Sequence, residues 1–130
     1  MKIKPNSIVC GDCTEVLTDF DSESIDMIIT SPPYDDLRSY KGYDFPFEGI
    51  AKELVRILRS GRVIVWIVAD ATTNGSETGT SFKQALFFKE LGMNVHDTMI
   101  FRKQNALPQI YRKRYTNEFE YMFVLSKGKV

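Results

Sequence analysis

Ile25-Asp26-Met27-Ile28-Ile29-Thr30 runs without a break into Ser31-Pro32-Pro33-Tyr34, and the reading of this stretch decides the fold. The first six residues form a short apolar run that reads as a β-strand. It must stop at Pro32-Pro33, because proline has no N–H to donate to a sheet ladder. Two successive prolines also restrict φ, so the strand delivers rigidly held carbonyls and an aromatic ring into the following loop. Open α/β sheets bind ligands beyond the carboxyl ends of their strands. Ser-Pro-Pro-Tyr alone could instead be a polyproline peptide ligand. The apolar run leading directly into it leaves no disordered flank and argues against that.

Outward from this strand, short apolar runs alternate with amphipathic segments. Ser7–Cys10 reads as a strand ending at Gly11-Asp12, and Cys13–Phe20 as a short helix with Val16, Leu17 and Phe20 on one face. Tyr34–Phe45 is a loop. Pro46–Arg59 is the clearest helix: Phe47, Ile50, Ala51, Leu54, Val55 and Leu58 recur at helical spacing, with Gly61 beyond the end. Arg62–Ala69 (R-V-I-V-W-I-V-A) is nearly all apolar, as expected of a parallel strand buried on both faces. After the polar loop Ala71–Thr80, Ser81–Leu91 reads as a helix with Phe82, Ala85, Leu86 and Leu91 inward. Val95–Arg102 and Phe119–Ser126 are two further strands, expected to pair antiparallel because no helix separates them. This order predicts one α/β domain, 1–130, with a mostly parallel sheet, an antiparallel C-terminal strand and helices on both faces.

The 130 residues carry 17 basic and 17 acidic side chains, 43% hydrophobic residues and no apolar run long enough to span a membrane. No apolar signal segment follows the charged N-terminus, which points to a cytoplasmic protein. The balance of charge conceals an uneven distribution. Asp12, Glu15, Asp19, Asp21, Glu23, Asp26, Asp35 and Asp36 lie in a stretch without Lys or Arg, whereas Arg102, Lys103, Arg112, Lys113 and Arg114 lie in one without acids. The second stretch also holds Gln104, Asn105, Gln109, Tyr111 and Tyr115. Cations neutralise phosphates, and rings and amides meet bases, so the segment suits nucleic acid; a solvated basic loop is the plainer alternative.

Gly11-Asp12-Cys13, Ser24–Ile29 and Thr30-Ser31-Pro32-Pro33-Tyr34 together resemble the amino-group DNA methyltransferases, whose signature is Asp/Asn/Ser-Pro-Pro-Tyr/Phe. The resemblance continues through the helix Phe47–Leu58, Ser60-Gly61-Arg62 and the strand Phe119–Ser126. It implies a Rossmann-like fold and methyl transfer from S-adenosylmethionine to an exocyclic base amine of DNA. It also implies that Ser31 Oγ and the Pro32 carbonyl accept hydrogen bonds from that amine, that Pro33 stiffens them, and that Tyr34 stacks on an extruded base. Asp12 and Thr30 become candidate contacts to the cofactor, and Arg38, with the five basic residues of the late loop, to DNA. Serine at position 31 is commoner among the cytosine-N4 enzymes than among the adenine-N6 ones.

The family's Phe-x-Gly-x-Gly cofactor turn occurs nowhere in the sequence. The chain therefore resembles the catalytic half of a permuted enzyme without its target-recognition and cofactor regions. It is expected to be inactive alone and to pair with a second copy or with a complementing chain carrying the missing strands. In the family fold those strands lie between the first strand here and the second. Alternatives are an RNA or protein-glutamine substrate, for which Asn-Pro-Pro-Tyr is usual, and a non-enzymatic nucleic-acid-binding module. Cys10-Gly-Asp-Cys13 lacks the further ligands of a zinc site, so no metal is expected. His96 and Trp66 read as structural, and Asp70, at the functional end of the sheet, as a capping or solvated side chain, with lining of the pocket as the alternative.

Overall fold

The computed structural model describes residues 4–33, 44–106, 108 and 114–130. Its elements are α1 (Cys13–Val16), continued by a 3-10 turn over Leu17–Asp19; β1 (Ile25–Thr30); α2 (Phe47–Ile57); and β2 (Leu58–Val68). A small hairpin of β3 (Thr72–Thr73) and β4 (Ser76–Glu77) follows, then α3 (Thr80–Glu90), β5 (Asn94–Arg102) and β6 (Phe119–Ser126). The main sheet has the order β1-β2-β6-β5. β1 is parallel to β2, while β6 is antiparallel to both β2 and β5, as expected for strands joined without a helix.

α2 ends where its chain enters the sheet. Ile57 is the last helical residue, and Leu58 already has extended backbone at φ −70°, ψ 133°. Ile25 pairs with Leu58 but Met27 pairs with Val63, so β2 bulges between those positions. Gly61, at φ +74°, occupies the bulge and donates its N–H to the Lys127 carbonyl. Gly61 is thus a sheet bulge and not a helix stop, and the strand begins earlier than the apolar pattern suggests. The carbonyls at the end of α2 are met by the Lys127 ammonium, which donates to Val55 O at 2.9 Å and Leu58 O at 2.8 Å.

One face of the sheet carries the core. Ile64, Trp66, Val68, Phe123 and Leu125 are buried against Ile50, Ala51, Leu54 and Ile57 of α2 and Ala85 and Phe88 of α3. Phe47, Trp66 and Phe88 meet edge-on or tilted, with centroids 5.2–5.8 Å apart. Cys13, Leu17 and Phe20 pack against this same cluster. The described helices therefore share one face, contrary to the expectation of helices on both. The other face bears Met27, Ile29, Val63, Val65, Ile67, Met99, Met122 and Val124, all half-buried or exposed. β2 is accordingly buried on one side only.

Two further differences have physical causes. Ser7–Cys10 enters no ladder among the described residues, where β1 is an outer strand, so Ile8 has no sheet to pack on and is wholly exposed. In α3 the inward stripe is Ser81, Gln84, Ala85 and Phe88, whereas Phe82 and Leu86 are exposed. Burial of two polar side chains is possible because each is hydrogen-bonded: Ser81 to Asp70, and Gln84 to Trp66. None of the described helices is long and apolar enough to cross a membrane.

Candidate active site at the carboxyl end of the sheet

Strand directions gather the chemistry at one end. β1 and β2 run parallel and finish there, β5 finishes there, and antiparallel β6 begins there. Thr30, Asp70, Arg102 and Phe119 consequently share the same end of the molecule.

At the end of β1, Thr30 stands in register with Trp66 and is half-buried on the helix-covered face. Ser31 is exposed, Pro32 buried and Pro33 half-buried. The chain therefore leaves the sheet through an anchored proline, with a hydroxyl on the solvent side immediately before it. Tyr34 and Arg38 lie outside the described residues. Beside this exit, Asp70 accepts from Ser81 N–H at 2.8 Å, from the Ser81 hydroxyl and from Thr78 Oγ1 at 3.3 Å. Asp70 thus holds the first turn of α3, the capping role expected of it.

Asp12 stands before α1 and accepts from Thr14 N–H at 2.8 Å and Thr14 Oγ1 at 2.6 Å, both on Oδ1. The Thr14 hydroxyl, followed by its backbone N–H, holds the exposed carboxyl below its ordinary range. A Cβ on Gly11 would lie 2.8 Å from Val16 Cγ2, so any larger residue here would force that side chain to shift. Gly11-Asp12 therefore brings an ionised carboxylate to the start of a helix packed on the core through Cys13.

Arg102, Lys103, Gln104, Asn105, Ala106 and Glu118 line a cavity of about 430 Å³ at the exit of β5. Two cations of this region are paired with acids distant in sequence. Lys103 Nζ meets Glu120 at 3.0 Å, and Arg114 Nη2 meets Glu77 on the β3–β4 hairpin at 2.9 Å. Arg112 and Lys113 lie outside the described residues. An aromatic group that the sequence reading passed over stands at the same end. Tyr121 meets Phe82 at 5.2 Å and Phe119 at 5.3 Å, and stacks on Phe123. Its signal was the alternation Phe119, Tyr121, Phe123, which puts three rings on one face of a strand. Among the described residues no three metal-binding side chains cluster, and Cys10 and Cys13 are free thiols.

Known proteins resemble this chain in sequence and in fold. The orphan methyltransferase M.BamHII of Bacillus amyloliquefaciens is 55% identical over 120 residues, which cover 92% of this chain and 41% of the relative. The type II methyltransferase M.SmaI of Serratia marcescens is 28% identical over 163 residues, covering 94% of this chain and 56% of that protein. The chain thus spans about half the length of these curated relatives, or less. In fold it is similar to TTHA0409 of Thermus thermophilus, solved in complex with S-adenosyl-L-methionine (TM-score 0.71, 24% identity, 92% of this chain and 52% of the other). It is also similar to the cytosine-N4-specific PvuII DNA methyltransferase (TM-score 0.71, 21% identity, 90% and 47%). The family model for N6/N4 DNA methylases matches residues 25–130, from the first residue of β1 through the Pro-Pro turn to the end of the chain. On that match, the chain belongs to the N6/N4 DNA methylase family.

Proposed function

We propose that this chain is the part of an S-adenosylmethionine-dependent DNA methyltransferase that holds the target amine, and that its preferred target is N4 of cytosine over N6 of adenine. The observation that carries the reading is the exit of β1, where exposed Ser31 precedes buried Pro32 at the ligand-binding end of the sheet. An exocyclic amine is a weak nucleophile because its lone pair is delocalised into the ring. Ser31 Oγ and the Pro32 carbonyl accept its two N–H groups, which favours a tetrahedral nitrogen and disperses the positive charge that grows during attack. Pro32 and Pro33 keep both acceptors from reorganising. Tyr34 stacks on the base once it has left the duplex.

When bound, S-adenosylmethionine supplies an electrophilic methyl group. The residues present fit part of it. Asp12 is ionised and takes both hydrogen bonds from Thr14 on a single oxygen. Its second oxygen can then accept from the cofactor's adenosine end, with Thr30 lining the strand exit. The Phe-x-Gly-x-Gly turn is not among these 130 residues. Arg38, Arg102, Lys103, Arg112, Lys113 and Arg114 meet DNA phosphates. Lys103 and Arg114 do so by exchanging Glu120 and Glu77 for the backbone. A DNA substrate fits a cytoplasmic protein.

The test supplies this chain with the region of M.BamHII outside the 120 matched residues, then measures labelled-methyl transfer to unmethylated DNA. Nucleoside mass spectrometry should find N4-methylcytosine. N6-methyladenine would overturn the cytosine preference. Absence of any methylated nucleoside from a mixture that binds both cofactor and DNA would overturn the activity.

A further inference from the structure

Trp66 borders both flanks of the Pro-Pro turn. Where the chain leaves the sheet, Thr30 is its partner in the parallel β1–β2 ladder. Where the helix after the turn begins, Phe47, the first residue of α2, sets its ring against the indole with centroids 5.8 Å apart. Phe47 also meets Phe87 at 5.3 Å and Phe88 at 5.8 Å, and Phe88 meets the indole at 5.2 Å. Trp66 is wholly buried and is the single tryptophan of the sequence. Ring packing alone does not orient an indole, because the χ2 torsion of tryptophan is broad and roughly two-fold. Gln84 removes that freedom: its Oε1 accepts the indole N–H at 2.8 Å, which admits one orientation of the ring.

Gln84 is itself held in place. One turn earlier on α3, Ser81 gives both its N–H and its hydroxyl to Asp70, which follows the end of β2. Two hydrogen-bonded rungs, Trp66 to Gln84 and Asp70 to Ser81, thus tie the start of α3 to the carboxyl end of β2. Apolar side chains could fill this volume, but a satisfied polar pair in the core also dictates one arrangement. We infer that Gln84 is a positioning residue for methyl transfer: through the Trp66 indole it fixes where β1 presents Ser31 Oγ and the Pro32 carbonyl to the target amine. The inference rests on the proposed function of those two acceptors. An indole free to turn no longer seats Phe47 on one flank of the turn, and it loosens the ladder beside Thr30 on the other. Displacing catalytic acceptors by about 1 Å costs on the order of 10² in rate, so a side chain remote from the amine can still set turnover.

Nitrogen-15 spectra of the whole chain test this without DNA or methyl donor. A single tryptophan gives one indole N–H resonance, which in Gln84→Leu should move and broaden as the ring samples two orientations. The backbone resonances of Thr30 and Ser31 should move with it, and Gln84→Glu, which keeps an acceptor at the same place, should return them to their wild-type positions. Gln84→Met preserves the unbranched shape and gives the same reading if the leucine variant does not fold. Leu125→Ala is the control: it empties core volume near the other end of β6 and should leave Thr30 and Ser31 unmoved. A displaced indole resonance with Thr30 and Ser31 unchanged would overturn the inference, as would an equal displacement by Leu125→Ala. In the enzyme completed with the region of M.BamHII outside the matched 120 residues, Gln84→Leu should lower kcat about tenfold or more at an unchanged KM for DNA. A changed KM with wild-type kcat would also overturn it. A wild-type mixture that binds cofactor and DNA yet transfers no methyl group would overturn the proposed activity instead, while the spectra still decide whether Gln84 holds Thr30 and Ser31.

Discussion

Ser31 and Gln84 illustrate how differently a polar side chain is used at the surface and in the core. Ser31 is exposed at the end of β1. Ser31→Ala should lower methyl transfer by roughly 10²–10³, the usual cost of removing one donor or acceptor that meets developing charge. Steady-state rates for the complemented enzyme check this; wild-type turnover would remove Ser31 from the mechanism. Gln84 is buried in α3, where Oε1 accepts the Trp66 indole N–H at 2.8 Å. Gln84→Leu keeps the volume but leaves that N–H buried and without a partner, at about 1–3 kcal/mol. Urea unfolding should show a lower midpoint at an unchanged slope. The serine was legible from the sequence because Pro-Pro fixes its setting. The glutamine was not, because its burial follows from a tryptophan 18 positions away.

At the scale of elements, α1 and its 3-10 turn are too short to be stable by themselves and are held by the side of α2. Arg56 donates to Leu17 O at 3.0 Å, Phe20 O at 2.9 Å and Ser22 Oγ at 3.2 Å, while Glu53 orients its guanidinium. Arg56→Ala should raise hydrogen exchange over 13–20 by an order of magnitude or so, while β2 and β6 retain wild-type protection. Uniform loss of protection would mean that the segment belongs to the global folding unit. Glu23 joins the start of β1 to the end of β6 in a comparable way. The Ser60 hydroxyl and then the Lys127 ammonium hold its carboxyl below the ordinary glutamate range. Because its folded value is lowered, stability from Glu23 is fully present above the unfolded value of about 4.3 and is lost as pH falls through the folded one. Melting temperature should therefore drop on acidification below about pH 4.5, and Glu23→Gln should flatten that drop. An acid limb identical to wild type would show that other carboxylates set it.

At the scale of the whole molecule, zero net charge is compatible with the proposed contact to DNA. The balance of 17 basic and 17 acidic side chains averages an acidic first quarter with a basic late segment, and β5 brings Arg102 and Lys103 to the sheet end where β1 delivers Thr30–Pro33. Replacing Arg102, Arg112, Lys113 and Arg114 together by Ala should weaken DNA binding and make its salt dependence shallower, by roughly one unit of slope per lost phosphate contact. An unchanged slope would show that the loop meets solvent. Two of the loop's cations already have acidic partners, Lys103 with Glu120 and Arg114 with Glu77, so their single substitutions should matter less than the charge count suggests.

Sequence by itself determined what local chemistry can determine. An apolar run stopped by two prolines had to be a strand ending in a rigid turn, and the periodicity over Pro46–Arg59 had to be a helix with one buried face, observed as Phe47–Ile57. Both follow from neighbours along the chain. Only the tertiary structure decided which faces those elements cover. Arg62–Ala69 reads as buried on both sides, since after Arg62 the Val, Ile, Trp and Ala residues follow without a polar one. Folding buries Ile64, Trp66 and Val68 under α2 and α3 and leaves Val63, Val65 and Ile67 half-exposed. Likewise, Ser7–Cys10 has the composition of a strand yet forms none here, because a strand exists only where a second one pairs with it. Burial and pairing are properties of two surfaces, and a sequence describes only one of them at a time.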